Sequence, residues 1–189
     1  MERRALLRLL VAATVIGVMG PTMAHTPYRQ WQVYRQKHLL IGTHKADPLS
    51  YEIGRRIAAA LAERLPESRA RVTRGPDAHR LASLLTTGQL DVVLLSVDEV
   101  EALARGAPPF ELYGRNRLLT LAGTQDHHLV VRPDFPVRHA WQIAAALPPM
   151  LEPVGTRSAP LHPGVLSFLE GGAVPDPAPD EPLPADHRH

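Results

Sequence analysis

One stretch decides the fold: His38-Leu-Leu-Ile-Gly-Thr-His-Lys-Ala-Asp-Pro-Leu-Ser-Tyr51, in which an apolar strand leads into a polar loop and a helix follows. Two more strand-loop-helix units come next, with loops at residues 74–77 and 94–98. In a parallel α/β sheet, the loops at the carboxyl ends of neighbouring strands form the ligand crevice. The sequence therefore predicts a binding site at the ends of three successive strands.

The alternation of strands and helices predicts the fold class. Apolar runs predict strands at 39–41, 70–73, 91–95, 117–122 and 128–131, and helical periodicity predicts helices that start at Ser50, Asp77 and Val97, with two more at 139–147 and 161–170. Short connections between alternating elements are typical of right-handed crossovers. We therefore expect an α/β domain of three layers, with helices on both faces of a mostly parallel sheet.

Composition excludes several classes of function. The chain has 189 residues, a net charge of +2 and no block of basic residues, so nucleic-acid binding is not indicated. It has no cysteine, which excludes disulfides and thiolate metal sites. Nucleophile elbows, phosphate-binding loops and dinucleotide-binding glycine motifs are also missing from the sequence, so we predict that the protein is not an enzyme.

The N-terminus follows the pattern of a cleavable secretory signal. Basic residues precede an apolar stretch, and small residues precede the expected cleavage site after Ala24. The sequence therefore predicts a signal peptide at 1–24, an N-terminal arm at 25–37, an α/β domain at 38–171 and a disordered Pro/Asp-rich tail at 172–189. Export would place the mature chain, which begins at His25, in the periplasm. An uncleaved anchor is the alternative.

Several segments resemble one family. The first strand and helix (41–58), the loop at 73–81, the helix-Gly-acidic-strand unit at 85–94 and the segment Leu161-His162-Pro163-Gly164-Val165 resemble the TAXI-type solute-binding proteins of TRAP transporters, which have the type II fold of periplasmic binding proteins. The resemblance covers about residues 38–150 and 160–171. It implies a periplasmic receptor that binds a small ligand and delivers it to a transporter membrane subunit. The family's second lobe is shortened here, so the chain resembles one lobe with a remnant of the other.

The predicted ligand site consists of polar residues at the strand ends. Lys45 or Arg74, together with backbone amides at helix N-termini, could hold an anion or a zwitterion. Alternatively, Ser50, Asp77 and Asp98 serve only as helix caps. The ligand-binding candidates are Thr43, His44, Asp47, Ser50, Arg74, Asp77, His79, Ser96, Asp98 and His128.

Histidines raise the possibility of a divalent metal site. Ten histidines are present, and imidazole is a common ligand of zinc and copper. No His-x-x-His or His-Glu-x-x-His pair occurs, and adjacent strand residues such as His127 and His128 would point to opposite faces. The alternative is that these rings are solvated or hydrogen-bonded. The possible metal ligands are His25, His44, His79 and His127.

These observations lead to one expected function and two alternatives. We expect a periplasmic, non-enzymatic solute-binding protein whose ligand is an organic acid or a metal ion. The first alternative is an accessory subunit that binds another periplasmic protein, through the apolar face that a second lobe would cover and the arm residues Tyr28, Trp31 and Tyr34. The second is a copper-type metal carrier. A homodimer could compensate for the shortened lobe.

Overall fold

A computed structural model describes residues 38–149 and 151–176. The signal peptide, the N-terminal arm and His25 lie outside the described residues, as does the tail beyond residue 176. None of the helices in the described ranges combines the length and the apolar character needed to cross a membrane.

The described chain contains five strands and five α-helices. The strands are β1 (Leu40–His44), β2 (Arg71–Gly75), β3 (Val92–Ser96), β4 (Leu119–Gly123) and β5 (His127–Val131). The helices are α1 (Pro48–Arg64), α2 (Ala78–Thr86), α3 (Val97–Arg105), α4 (Val137–Ala146) and α5 (Pro163–Leu169). Two short 3₁₀ helices lie at Pro66–Ser68 and Glu111–Tyr113.

The sheet is mixed, with the strand order β2-β1-β3-β5-β4. The first three strands in the chain pair in parallel, as expected, whereas β5 is antiparallel to both β3 and β4. Only residues 124–126 separate β4 from β5. A connection this short joins antiparallel strands, because a parallel crossover needs a dozen or more residues. The α/β class is confirmed. Among the described strands only β5 runs in the opposite direction, but its two pairings, with β3 and with β4, are both antiparallel.

Helices cover both faces of the sheet, as the sequence predicts. Alternate strand residues contribute to two separate apolar clusters. Ile41 and Leu94 pack with α1, α4 and α5, whereas Leu40 and Leu95 pack with α2 and α3. The residues of β3 from Val92 to Leu95 are fully buried, which explains the uninterrupted apolar run in the sequence.

The two edges of the sheet differ. Segment 151–161 lies along the outer edge of β4, where Glu152 pairs with Gly123 and Leu161 pairs with Thr120. The Thr120 hydroxyl donates to the Ala159 carbonyl at 2.8 Å, a contact near the C-terminal end of the segment. The opposite edge is β2, on which the side chains of Arg71 and Arg74 are exposed.

Candidate functional site

Helix caps account for part of the predicted site. Asp47, not Ser50, caps α1, because its carboxylate accepts from the backbone N–H groups of Leu49 and Ser50. The Ser50 hydroxyl is buried and donates to the Asp47 carbonyl at 2.7 Å. The α1 helix therefore begins at Pro48, a residue suited to a first helical turn.

The caps of α2 and α3 differ in kind. Asp77 caps α2 by accepting from the Arg80 N–H at 2.8 Å, which agrees with the capping alternative. Ser96 caps α3 in a reciprocal box with Glu99, whose carboxylate accepts from the Ser96 N–H at 2.9 Å. Asp98 is exposed in the first turn of α3 and is not its cap, so the capping alternative is wrong at this residue.

Asp47 has a second role because it also contacts β5. Its Oδ2 atom lies 2.6 Å from Nε2 of His127, whose ring is buried. Burial alone would raise the pKa of the Asp47 carboxyl. The hydrogen bonds from His127 and Ser50, together with the charges of His127 and His44, outweigh burial, so the pKa of Asp47 is lowered. The stabilisation from this lowered pKa is present above the unfolded-state value of 3.8 and is lost as the pH falls below it.

His44 lies at the end of β1 on the other face of the sheet. Its ring is buried, and Nε2 is 3.5 Å from the Glu99 carboxylate. Neither ring nitrogen has a hydrogen-bond partner among the described residues. Thr43, which precedes it, is also buried and donates its hydroxyl proton to the Thr73 carbonyl at 3.3 Å.

His128 lines a cleft of about 600 Å³ at the same end of the sheet. Its ring is only 2% exposed, and Nδ1 is buried without a hydrogen-bond partner among the described residues. Burial and the nearby His127 lower the pKa of His128, so its ring is neutral at pH 7. The other lining residues are Val97, Thr124, Gln125, Glu152, Val154, Gly155 and Thr156.

Gly123 makes room for the His128 ring. The two residues are direct partners across β4 and β5. A Cβ atom on Gly123 would collide with Cδ2 of the ring and would lie 3.0 Å from its Nε2. The packing of the His128 ring therefore requires glycine at position 123.

The predicted cations Arg74 and Lys45, and His79 of the second loop, lie outside this cleft. The Arg74 guanidinium lies 4.3 Å from the centre of the Tyr51 ring, and Lys45 is exposed. His79 is exposed and packs against the rings of Phe110 and Tyr113. Of the ligand-binding candidates, only His128 lines the cleft.

The possible metal ligands that the structure describes have different partners. Residues 38–149 and 151–176 contain no group of three or more His, Asp or Glu side chains arranged to hold a metal ion. Among the four candidates, His44 contacts Glu99, His127 contacts Asp47 and His79 lies against aromatic rings. His25 lies outside the described residues.

Few sequence features predict the residues of the cleft walls. Gln125 and Glu152 are exposed polar residues in segments without helical or strand periodicity. Glu99 lies outside the cleft and contacts His44, and in the sequence it stands in the first turn of an acidic helix start. The Ser96-x-x-Glu99 spacing is that of a capping box and could have identified its partner.

The Asp47 carboxylate leads to a stability prediction. We expect Asp47→Ala to lower the free energy of unfolding by about 2 kcal/mol, because it removes a helix cap and a charge-assisted hydrogen bond. Asp47→Asn retains a capping oxygen, so it should cost about half as much. Urea unfolding of both variants, followed by circular dichroism, measures the difference. Equal losses would contradict a contribution from the cap, and an Asp47→Asn variant as stable as the unsubstituted protein would contradict one from the His127 contact.

Acid should destabilise the fold below about pH 6.5. Burial lowers the pKa of both His128 and His162 from 6.5, although a hydrogen bond to the Phe135 carbonyl partly offsets the effect at His162. The unfolded chain then binds more protons than the folded chain, so stability is complete above pH 6.5 and falls as the pH drops through the folded-state values. Melting temperatures between pH 8 and pH 5 at constant ionic strength test this. A rise on acidification would refute it.

Sequence comparison adds no relative to this description. No protein-family model matches the chain. No curated protein matches it either.

Proposed function

We propose that this protein is a non-enzymatic, periplasmic solute-binding protein that holds a small polar ligand in the cleft beside His128. The observation that carries the proposal is the cleft itself, a cavity of about 600 Å³ that brings His128 together with Thr124, Gln125 and Glu152.

The shape of the cleft supports the proposal. Its volume of about 600 Å³ lies within the range of small-molecule sites. Its lining combines valine side chains at positions 97 and 154 with a few polar groups, as such sites do. Its position at the carboxyl end of β3 also agrees with the rule for α/β sheets.

The surroundings favour binding over catalysis. The Ser96 hydroxyl accepts from the Glu99 N–H at 3.3 Å and caps α3. His127 bonds instead to Asp47, and the His44 ring nitrogens have no hydrogen-bond partner among the described residues. Among the described residues, no histidine is hydrogen-bonded to the Ser96 hydroxyl, so none is placed to activate it as a general base. Delivery of the ligand to a transporter membrane subunit, which the family resemblance implies, is part of the same proposal.

A ligand panel tests the function. We expect at least one compound from a set of organic acids, amines and divalent metal salts to raise the melting temperature of the purified protein by several degrees, because a ligand at 100 times its Kd stabilises by about 2.7 kcal/mol. His128→Ala should abolish the shift. His79→Ala, which removes an exposed ring outside the cleft, should leave it intact. The absence of any shift with every class would overturn the proposal.

A further inference from the structure

The charge of the cleft restricts what it can hold. Among the described residues that line it, Glu152 is the only one with a formal charge at pH 7, because the His128 ring is neutral there. Arg74 and Lys45, the cations expected from the sequence to bind an anion, are not among the lining residues. An organic acid would therefore meet a carboxylate with no compensating cation.

The register of the strands places Glu152 and His128 on one face. Gly123 pairs with His128 on one side and with Glu152 on the other. Residues paired in register project to the same face of a sheet, and neighbouring strands lie about 4.8 Å apart. The two side chains therefore flank Gly123 on one face, with about 10 Å between their Cα atoms.

The polar groups of the cleft are available to a ligand. The hydroxyl oxygens of Thr124 and Thr156 accept from backbone N–H groups, which leaves their own protons free to donate. The side chains of Gln125 and Glu152 make no hydrogen bond or ion pair with the described chain. An exposed carboxylate without a partner, beside apolar walls, is suited to a cationic group attached to an apolar body.

We infer that the cleft binds a small organic cation, an amidinium or ammonium compound, whose charged group pairs with the Glu152 carboxylate while its apolar body packs on Val97 and Val154. This inference rests on the proposed function and specifies its ligand class. A planar amidinium presents two parallel N–H donors to one carboxylate, which is the strongest geometry for such a pair. The neutral imidazole of His128 does not repel it.

Benzamidine and benzoate form a matched pair of probes, because they have similar size and shape but opposite charge. We expect millimolar benzamidine to shift the backbone amide NMR signals of Gln125, Val154 and Thr156, and benzoate to leave them unchanged. Glu152→Gln should weaken benzamidine binding at least tenfold. Its backbone pairing with Gly123 does not involve the side chain, so the variant should fold. Glu170→Gln, an exposed glutamate outside the cleft, is the control.

The outcomes separate the two proposals. If benzoate shifts the cleft signals and benzamidine does not, the cation inference is wrong and the proposed binding function stands. If benzamidine binds equally well to the Glu152→Gln variant, the role of the carboxylate is wrong. If neither probe shifts the cleft signals, the cation inference fails, and the wider ligand panel then decides whether the binding function fails with it.

Discussion

Gly123→Ala should both destabilise the protein and close its cleft. The new methyl group would overlap the His128 ring and would lie 2.9 Å from the His127 carbonyl oxygen, so the ring or the strand must move. Overpacking of this kind typically costs 1–3 kcal/mol, and we expect about 2–3 kcal/mol here because backbone is involved. Urea unfolding measures the loss. Binding of any ligand that the cleft accepts should weaken at least tenfold.

A second substitution tests the mechanism of this effect. In Gly123→Ala combined with His128→Ala, the ring is absent, so the double variant should lose less stability than the sum of the two single variants. Gly75→Ala is the matched control, since its new Cβ would lie 3.3 Å or more from its nearest neighbours. Additive losses at positions 123 and 128 would show that the collision with the ring is not the cause.

Gly164→Ala should disrupt the packing of α5 on α4. The added Cβ would overlap the Val137 carbonyl oxygen and would lie 2.9 Å from the Ala140 Cβ and 3.0 Å from the Trp141 nitrogen. All three atoms belong to α4, and two of them are backbone atoms that cannot rotate away. The gain in helix propensity, about 1 kcal/mol, is too small to compensate. We expect a net loss of about 3 kcal/mol in urea unfolding.

A control in the same helix separates this collision from a general loss of helix. Leu169 ends α5 and is half exposed, so Leu169→Ala should cost less than about 1 kcal/mol. If both variants lose the same stability, close approach of the two helices is not what Gly164 provides. The comparison also tests the role of the His-Pro-Gly segment. Its histidine caps α5 by accepting from the Gly164 N–H at 3.1 Å, and it lies 3.0 Å from the Phe135 carbonyl.

Local patterns in the sequence predict most elements of the fold. The apolar run at 91–95 and the Gly106 stop define β3 and α3 nearly to the residue. The reversal of β5 was open to prediction from the short connection at 124–126, which only a hairpin can span. The start of α1 was misplaced because both Asp47 and Ser50 are residue types that cap helices, and only the hydrogen bonds distinguish them.

The candidate site was harder to predict because it depends on register between distant segments. Polar residues at strand ends indicated His128 and the Asp47 loop, but not which of them face one cleft. Glu152 reaches the site only because its segment pairs with Gly123, and residues 151–161 carry no periodic pattern from which that pairing could be inferred. Arg74 lies outside the cleft for a similar reason, because its guanidinium contacts the Tyr51 ring, a residue of a different segment.

The covering of β4 by segment 151–161 also bears on solubility. A sheet can recruit a foreign strand, and so aggregate, wherever its edge presents unpaired backbone groups. Here the chain's own segment pairs with part of the β4 edge, which leaves β2 as the more open edge. The exposed arginines of this strand, Arg71 and Arg74, are charged side chains of the kind that protect a sheet edge from pairing with another chain.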